Sequence, residues 1–530
     1  MKASLIVVNN IGYSSEHLGV ASISAYLQSK GICVKIQQID CSPTDDVQDI
    51  MQQLNTSYDI LGFYTVFSNV ELVKRIIVKI KSDNNFVFVG GPTATIAGEY
   101  LLTDCKELDF VVLGDGERTI HSVITKLSSG ANLHDLSLLP SVLTQYDTFL
   151  KKPATEKISE LPLVTRYYFD DSSLHYANAR IVTCKKCLGN CSFCATIHAY
   201  KHDIPDYNSW DCRKIEDVFD EFIYVHEKYG IRQFSIIDPS FEDPGLAGKA
   251  RLKRLCELMS AHSTKFFVFW TYFRAETFNE TDIELIKLMR NAGFLRVLIG
   301  IEADNDDDLL LYRKKATVDD NRRIMGLFKQ CDIEVIPGFI MMNPFSQKKN
   351  LTKNYNFLVE NLINRIGLYC SEVQVFHKTP LYLQFNDSGI LTPEFSYSNP
   401  YGYTYLDREI EEISTFIRND LNKLPIIEIA DKHIYTNEYL YNTVKALFPD
   451  IYAEHTAELN SINLELCSLL AKYFYIIYVE FDISAARQRL SDFAEELSQI
   501  FSTFDRLTFK MLRNKELRSF FSRIEKLSSN

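Results

Sequence analysis

Cys187, Cys191 and Cys194 stand at C-x3-C-x2-C spacing in the run Cys187-Leu188-Gly189-Asn190-Cys191-Ser192-Phe193-Cys194. Three thiolates so placed can hold three irons of a 4Fe-4S cluster and leave the fourth iron open, whereas electron-transfer clusters close every iron with protein sulfur. An open iron is a place for chemistry. Cys184 stands just upstream, so the stretch also reads as two C-x2-C pairs, Cys184/Cys187 and Cys191/Cys194, on a zinc ion. That spacing is poor for zinc, because structural zinc sites set the second pair more than about ten residues away, so that two knuckles approach the metal from opposite sides.

The elements that must position these sulfurs follow from periodicity. A strand over 179–183 delivers the cysteine loop, and further strands are expected over 233–238, 266–273, 296–301, 334–340 and 372–376. Helices over 215–229, 249–260, 281–291 and 319–331 alternate with them. Roughly six such units make a partial (β/α)6 barrel, open at its mouth to a bulky substrate. Asp238 ends the second strand, Arg274 follows the third and Glu302 the fourth. Carboxylates and a guanidinium at a barrel mouth can pair with a charged ligand, or with one another as a structural ion pair. Met341 and Met342 read as core-filling side chains.

Upstream, strands over 5–8, 33–36, 59–64, 86–89 and 110–113 alternate with helices over 17–30, 70–81 and 94–102. This is the pattern of a doubly wound, Rossmann-like α/β sheet, which binds ligands over the carboxyl ends of its strands. The loops there are Thr65-Val66-Phe67-Ser68-Asn69, Gly90-Gly91-Pro92-Thr93-Ala94 and Gly114-Asp115-Gly116-Glu117. Paired glycines let backbone approach a large flat ligand or a phosphate, and Ser68 and Asn69 can donate hydrogen bonds. A flavodoxin-like nucleotide or regulatory domain carries similar loops, as do tight turns with no ligand.

Residues 131–175, with Leu139-Pro140, Lys152-Pro153 and Leu161-Pro162, show no long period and read as a linker packed on the surface. From 396 onward the chain is mainly helical, and Phe493, Leu497, Ile500, Phe501 and Phe504 fall on one helix face as core. Phe395, Tyr397, Tyr401, Tyr403 and Tyr405 are candidate substrate contacts. The expected domains are therefore 1–130, a linker over 131–175, a core over 176–395 and a helical domain over 396–530.

A chain of 530 residues, 46% hydrophobic and 24% charged, has ample material for several cores and no disorder signature. Its net charge of -12 argues against a nucleic-acid backbone as partner. The N-terminus reads directly as a strand rather than a signal peptide, and the apolar run over 469–481 is interrupted by Lys472 and Glu480. A cytoplasmic location without membrane contact is expected, where twelve cysteines are thiols or metal ligands rather than disulfides.

The cysteine run resembles the signature of the radical SAM superfamily. Leu18-Gly19 opening a helix, the polar loop after the third strand, Gly90-Gly91-Pro92 and Gly114-Asp115-Gly116-Glu117 together resemble the cobalamin-binding domain that precedes many radical SAM cores. Lys378-Thr379-Pro380-Leu381 followed by Gly389 is similar to the segment that ends such cores. The resemblance implies a 4Fe-4S cluster on the three cysteines, S-adenosylmethionine (SAM) near Phe193, Asp238, Arg274 and Glu302, and cobalamin at Leu18, Gly19, Ser68, Asn69, Gly90, Gly91, Pro92, Gly114, Gly116 and Glu117. It also implies a 5′-deoxyadenosyl radical and an external electron donor of the flavodoxin or ferredoxin type. The activity implied is methylation of an unactivated carbon of a specialised metabolite or peptide by way of methylcobalamin, or a rearrangement, ring contraction or cyclisation without methyl transfer. Two departures stand out. The D-x-H-x-x-G motif of many cobalamin domains is absent, since Ser15 and Val20 flank His17 where Asp and Gly are required. Met341-Met342-Asn343-Pro344-Phe345 replaces the Gly-x-Pro turn of many relatives.

Overall fold

The computed structural model describes residues 1–10, 16–41, 45–147, 151–170, 178–200, 210–392, 397 and 401–525. It divides into two compact units: Met1–Ile231 with Ile237–Pro239 and Val375–Gly402, and Arg232–Ile236 with Ser240–Gln374 and Tyr403–Asn530.

The first unit is built on a six-stranded sheet in the order β2-β1-β3-β4-β5-β6. The strands are β1 (Ala3–Asn10), β2 (Val34–Cys41), β3 (Ile60–Tyr64), β4 (Phe86–Gly90), β5 (Phe110–Val112) and β6 (Val142–Leu143). β1 to β5 run parallel, and β6 closes the edge antiparallel. Alternate residues feed two cores, as a strand period of two requires. Ile6, Val8, Leu61, Phe63, Val87 and Val89 pack with α3 (Val70–Ile80) and α4 (Pro92–Asp104). Leu5, Val7, Ile60, Phe88 and Val112 pack with α1 (Leu18–Ser29) and α5 (Glu117–Ser128). Gly62 sits opposite Phe88 in the register, and a Cβ there would lie 2.2 Å from the Phe88 ring, so the glycine makes room for the aromatic.

Two corrections to the sequence reading arise here. The short helix Val47–Gln53 and α5 were absent from it, although α5 runs 12 residues with Ile120, Val123, Ile124 and Leu127 buried along one face. The linker is not a surface strap. It supplies β6, whose Val142 is wholly buried, and it buries Leu136, Arg166 and Tyr168. Its prolines break periodicity without breaking burial. The unit also contains β7 (Asn178–Ile181) and the helices Ala195–Tyr200 and Ile215–Tyr229.

In the second unit β8 (Gln233–Ile236) pairs in parallel with β9 (Phe267–Trp270), and β10 (Tyr272–Arg274), β11 (Arg296–Glu302) and β12 (Glu334–Phe339) form a parallel set. Helices Gly245–Ala261, Ile283–Ala292 and Val318–Gln330 alternate with them in partial (β/α) barrel fashion. The expected strand over 266–273 is broken at Thr271, whose carbonyl accepts from Leu298 N at 2.8 Å. The expected strand over 372–376 reduces to isolated bridges, Met342 with Glu372 in this unit and Val375 with Tyr401 in the first. Pro344, two residues beyond Met342, has no N–H to continue a ladder.

The C-terminal part is helical, with long helices Pro425–Leu447, Pro449–Tyr478 and Leu490–Met511. Phe493, Leu497, Ile500, Phe501 and Phe504 are all buried, as are Met341 and Met342. Among the candidate aromatics, Tyr397 joins the α3 core, Tyr401 hydrogen-bonds His377, Tyr403 donates to the Val373 carbonyl at 2.9 Å, and Tyr405 is buried. Phe395 lies outside the described residues. Among the described residues no helix is long and apolar enough to cross a membrane.

Candidate active site

The cysteine loop leaves β7 and ends at the helix Ala195–Tyr200, which packs on α4. Cys187 is buried, while Cys191, Phe193 and Cys194 are half-buried. Gly189 N donates to Cys187 Sγ at 3.2 Å. Cys194 N donates to the Cys191 carbonyl at 3.2 Å, and the His198 ring nitrogen lies 3.0 Å from that same carbonyl. The Ser192 carbonyl accepts from Leu381 N at 3.0 Å. Thus the Thr-Pro-Leu segment braces the loop, with Thr379 capping the helix Pro380–Asp387 behind it.

Asp238 is fully buried and holds Thr183, accepting from its backbone N at 2.6 Å and from its hydroxyl. That fixes the segment just ahead of the cysteines. Cys184 lies opposite Cys212 in an antiparallel bridge. Among the described residues no three His, Cys, Asp or Glu side chains converge as they would on a single metal ion.

A cavity of about 910 Å³ opens over the carboxyl ends of the parallel strands. Leu18, Gly19, Gly90, Gly91, Pro92, Gly114, Gly116 and Glu117 all line it. Its floor is apolar, with Leu5, Phe88, Val112 and Ile120, and its wall carries Leu161, Pro162, Leu163, Arg180 and Lys185. Gly91 has φ +103°, and a Cβ there would meet Thr65 O at 2.8 Å, so this turn requires glycine. A Cβ on Gly19 meets nothing within 4 Å, so that helix start faces open space. A large pocket with an apolar floor at the strand ends and a charged rim that includes Glu16, Asp115, Arg180 and Lys185 fits a bulky ring cofactor with a tail.

Ser68 is exposed and Asn69 points inward, and neither lines the cavity. Asn69 instead ties its loop together, accepting from Val66 N at 2.8 Å and donating to the Val8 and Tyr64 carbonyls. His17, which the missing motif left unassigned, lines the cavity with its Nε2 2.7 Å from Asn9 Oδ1. Burial, reinforced by Arg180, lowers its pKa to about 4, so it stays neutral.

Several residues here escaped the sequence reading. Lys185 Nζ lies 3.2 Å from Asp115 and 3.6 Å from Glu117, while Ser22 donates to Glu117 at 2.5 Å. Arg166 is buried and pairs with both Glu16 and Glu221, and Glu221 also takes Arg213 at 2.5 Å. Burial, only partly opposed by Arg166, raises the Glu16 pKa to about 7. Glu221 did carry a signal: it falls among Val218, Phe222 and Val225 on the apolar stripe of its helix. Lys185 carried none.

In the second unit Arg274 is held by Asp243 and Glu276 at 2.5 Å each. Glu242, wholly buried beside them, accepts from Arg274 N at 3.0 Å, and burial followed by the charge of Asp243 pushes its pKa up to about 7. Glu302 sits at a register shift of β11 with φ +64°, a conformation rare for a non-glycine residue and a common mark of functional positions. Its carboxylate lies 3.4 Å from Lys314 Nζ, and burial raises its pKa. Gly300 makes this possible: a Cβ there would lie 2.7 Å from the Glu302 carboxylate and 3.0 Å from Lys314 Nζ. Asn343, in the segment that departs from the family pattern, is buried and donates to Asp308 at 2.7 Å and to the Tyr312 hydroxyl at 3.0 Å.

Residues 4–124 match the B12 binding domain family and residues 181–358 the Radical SAM superfamily. The chain belongs to the cobalamin-binding radical SAM enzymes, whose cofactors are a 4Fe-4S cluster, SAM and cobalamin. It is similar to an uncharacterised methyltransferase, PH0819, of Pyrococcus horikoshii, with 22% identity over 368 residues, 66% of this chain and 74% of that protein. It is also similar to the anaerobic magnesium-protoporphyrin IX monomethyl ester cyclase of Cereibacter sphaeroides, with 23% identity over 278 residues, 50% of this chain and 43% of that protein. Among solved structures, the cobalamin-dependent SAM radical enzyme OxsB superposes with a TM-score of 0.68 at 16% identity, covering 99% of this chain and 84% of that one. The radical SAM methyltransferase TsrM of Kitasatospora setae gives 0.59 at 16% identity, covering 73% of this chain and 76% of that one. Identity so low establishes shared fold.

Proposed function

We propose that this enzyme methylates an unactivated carbon of a specialised metabolite or peptide, drawing electrons from a flavodoxin- or ferredoxin-type donor. The observation that carries the reading is that one cavity is lined both by the strand-end loops of the sheet and by Val182 and Lys185, which lead into the cysteine loop. A methyl donor and a radical source must share one substrate, and this arrangement serves that need. When bound, the cofactors supply a radical able to abstract hydrogen and a transferable methyl group.

The protein's own residues position and exclude. Cys187, Cys191 and Cys194 would hold the cluster, and Phe193 beside them would contact SAM. Arg274 and Glu302 recognise the charged ends of SAM, with Asp243, Glu276 and Lys314 fixing their directions. Asp238 acts through Thr183, and Ser68 and Asn69 act through the shape of their loop. Leu18, Gly19, Gly90, Gly91, Pro92, Gly114, Gly116 and Glu117 hold the corrinoid. The relatives named as methyltransferases support this reading.

The similarity to a cyclase favours a second reading, rearrangement or cyclisation without methyl transfer. Anaerobic reconstitution with iron, sulfide and hydroxocobalamin, followed by turnover with methyl-deuterated SAM, separates the two. Label in the product supports methylation, and an unlabelled rearranged product overturns it.

A further inference from the structure

Cys184 and Cys212 face each other as an antiparallel bridge pair at the foot of the cysteine loop. Arg213 N donates to the Thr183 carbonyl at 2.9 Å, which makes the two cysteines a directly opposed pair lying outside the narrow hydrogen-bonded ring. Cα atoms in such pairs lie about 4.5 Å apart, inside the roughly 4.4–6.8 Å that a disulfide spans. Both residues are thiols. Trp210 Nε1 donates to Cys212 Sγ at 2.8 Å, and Cys184 Sγ donates to the Asp211 carbonyl at 3.3 Å. Cys184 is 1% exposed and Cys212 is half-buried, so a solvent-borne reagent reaches Cys212 first.

We propose that Cys184 and Cys212 form a reversible disulfide, a redox modification site at the base of the cluster loop. The oxidant is a low-molecular-weight disulfide, RSSR. Cys212 gives up its proton and its Sγ attacks one sulfur of RSSR; the S–S bond breaks, and one RS⁻ leaves and takes that proton. Cys184 then attacks Cys212 Sγ and expels the second thiol. Two protein thiols are oxidised to one disulfide while RSSR is reduced to two RSH. The bond clamps the start of the segment carrying Lys185 and Cys187 to the backbone at Cys212, so the oxidation state of the pair sets the freedom of the loop that carries the cluster ligands.

The test uses anaerobically reconstituted holoenzyme incubated with oxidised glutathione, then alkylated and digested with trypsin without reduction. The expected result is a peptide of residues 181–185 joined to one of residues 202–213, released by dithiothreitol, with cluster absorbance retained throughout. Cys212→Ser should keep the cluster absorbance and lose the joined peptide. Recovery of both peptides singly alkylated or singly glutathionylated would overturn the proposal, and so would a bond from Cys184 to Cys187, Cys191 or Cys194. The readout is independent of methyl transfer, so its failure leaves the proposed reaction untouched.

Discussion

Lys185 Nζ lies 3.2 Å from a carboxylate oxygen of Asp115, joining the residue two positions ahead of Cys187 to the glycine loop after β5. A cofactor cavity and a cluster loop thus share one ion pair. Lys185→Met should lower corrinoid retention while leaving the cluster absorbance in place. Since the lysine is 30% exposed, its stability effect should be no more than about 1 kcal/mol. Equal loss of both cofactors would show that the pair serves the fold alone.

Removal of one loop sulfur leaves three irons with two protein ligands. Cys191→Ala should abolish both cluster absorbance and SAM cleavage, and Cys184→Ala should leave both, because Cys184 sits opposite Cys212. Continued SAM cleavage by Cys191→Ala would defeat the assignment.

Gly19 offers a test of the cavity that does not disturb the core, because the space beyond its Cα is open. Gly19→Phe should fill that space and strongly reduce the corrinoid-to-protein ratio after desalting. Helix stability should be unchanged or improved, since glycine is about 1 kcal/mol worse than alanine in a helix. Thermal unfolding of the apoprotein gives the control.

Arg166 is the shared partner of two buried carboxylates, Glu16 and Glu221. Arg166→Met leaves Glu16 without its paired counter-ion and Glu221 with Arg213 alone, and removing one member of a buried pair costs about 3–5 kcal/mol. Denaturant unfolding should show that loss. Combining it with Glu16→Gln should recover part of the loss, since the Glu16 pKa is already raised to about 7.

Glu242 gives a pH signature. Its pKa rises from 4.5 to about 7 on folding, so between those values the folded chain holds a proton that the unfolded chain has released. Stability from this group is therefore full below the unfolded pKa and is lost as pH rises through about 7. A shift of that size amounts to about 3 kcal/mol. Glu242→Gln should flatten the fall in stability between pH 5 and pH 8 in urea unfolding, and an identical pH profile in wild type and variant would refute the assignment.

Regular elements with strong periods were legible, among them the helix Ile215–Tyr229 and the apolar stripe around Phe493. Elements set by neighbours were not. The β6 edge strand is two residues long and exists because β5 offers it an edge, and the strand expected over 266–273 divides at Thr271 where its pairing changes.

The sequence alone determined the chemistry and the kind of scaffold. Thiol spacing is a local property that limits which metal centre can form, and alternation at periods of two and 3.6 limits which layers can pack. Tertiary structure decided which side chains meet. Lys185 and Asp115, Arg166 and Glu16, and Cys184 and Cys212 are all far apart in the chain. Only packing shows that Asn69 is spent on its own loop while Gly19 faces open cavity. The physical reason is that a charge or a thiol acquires its role from partners within a few ångströms, and the fold alone brings those partners together.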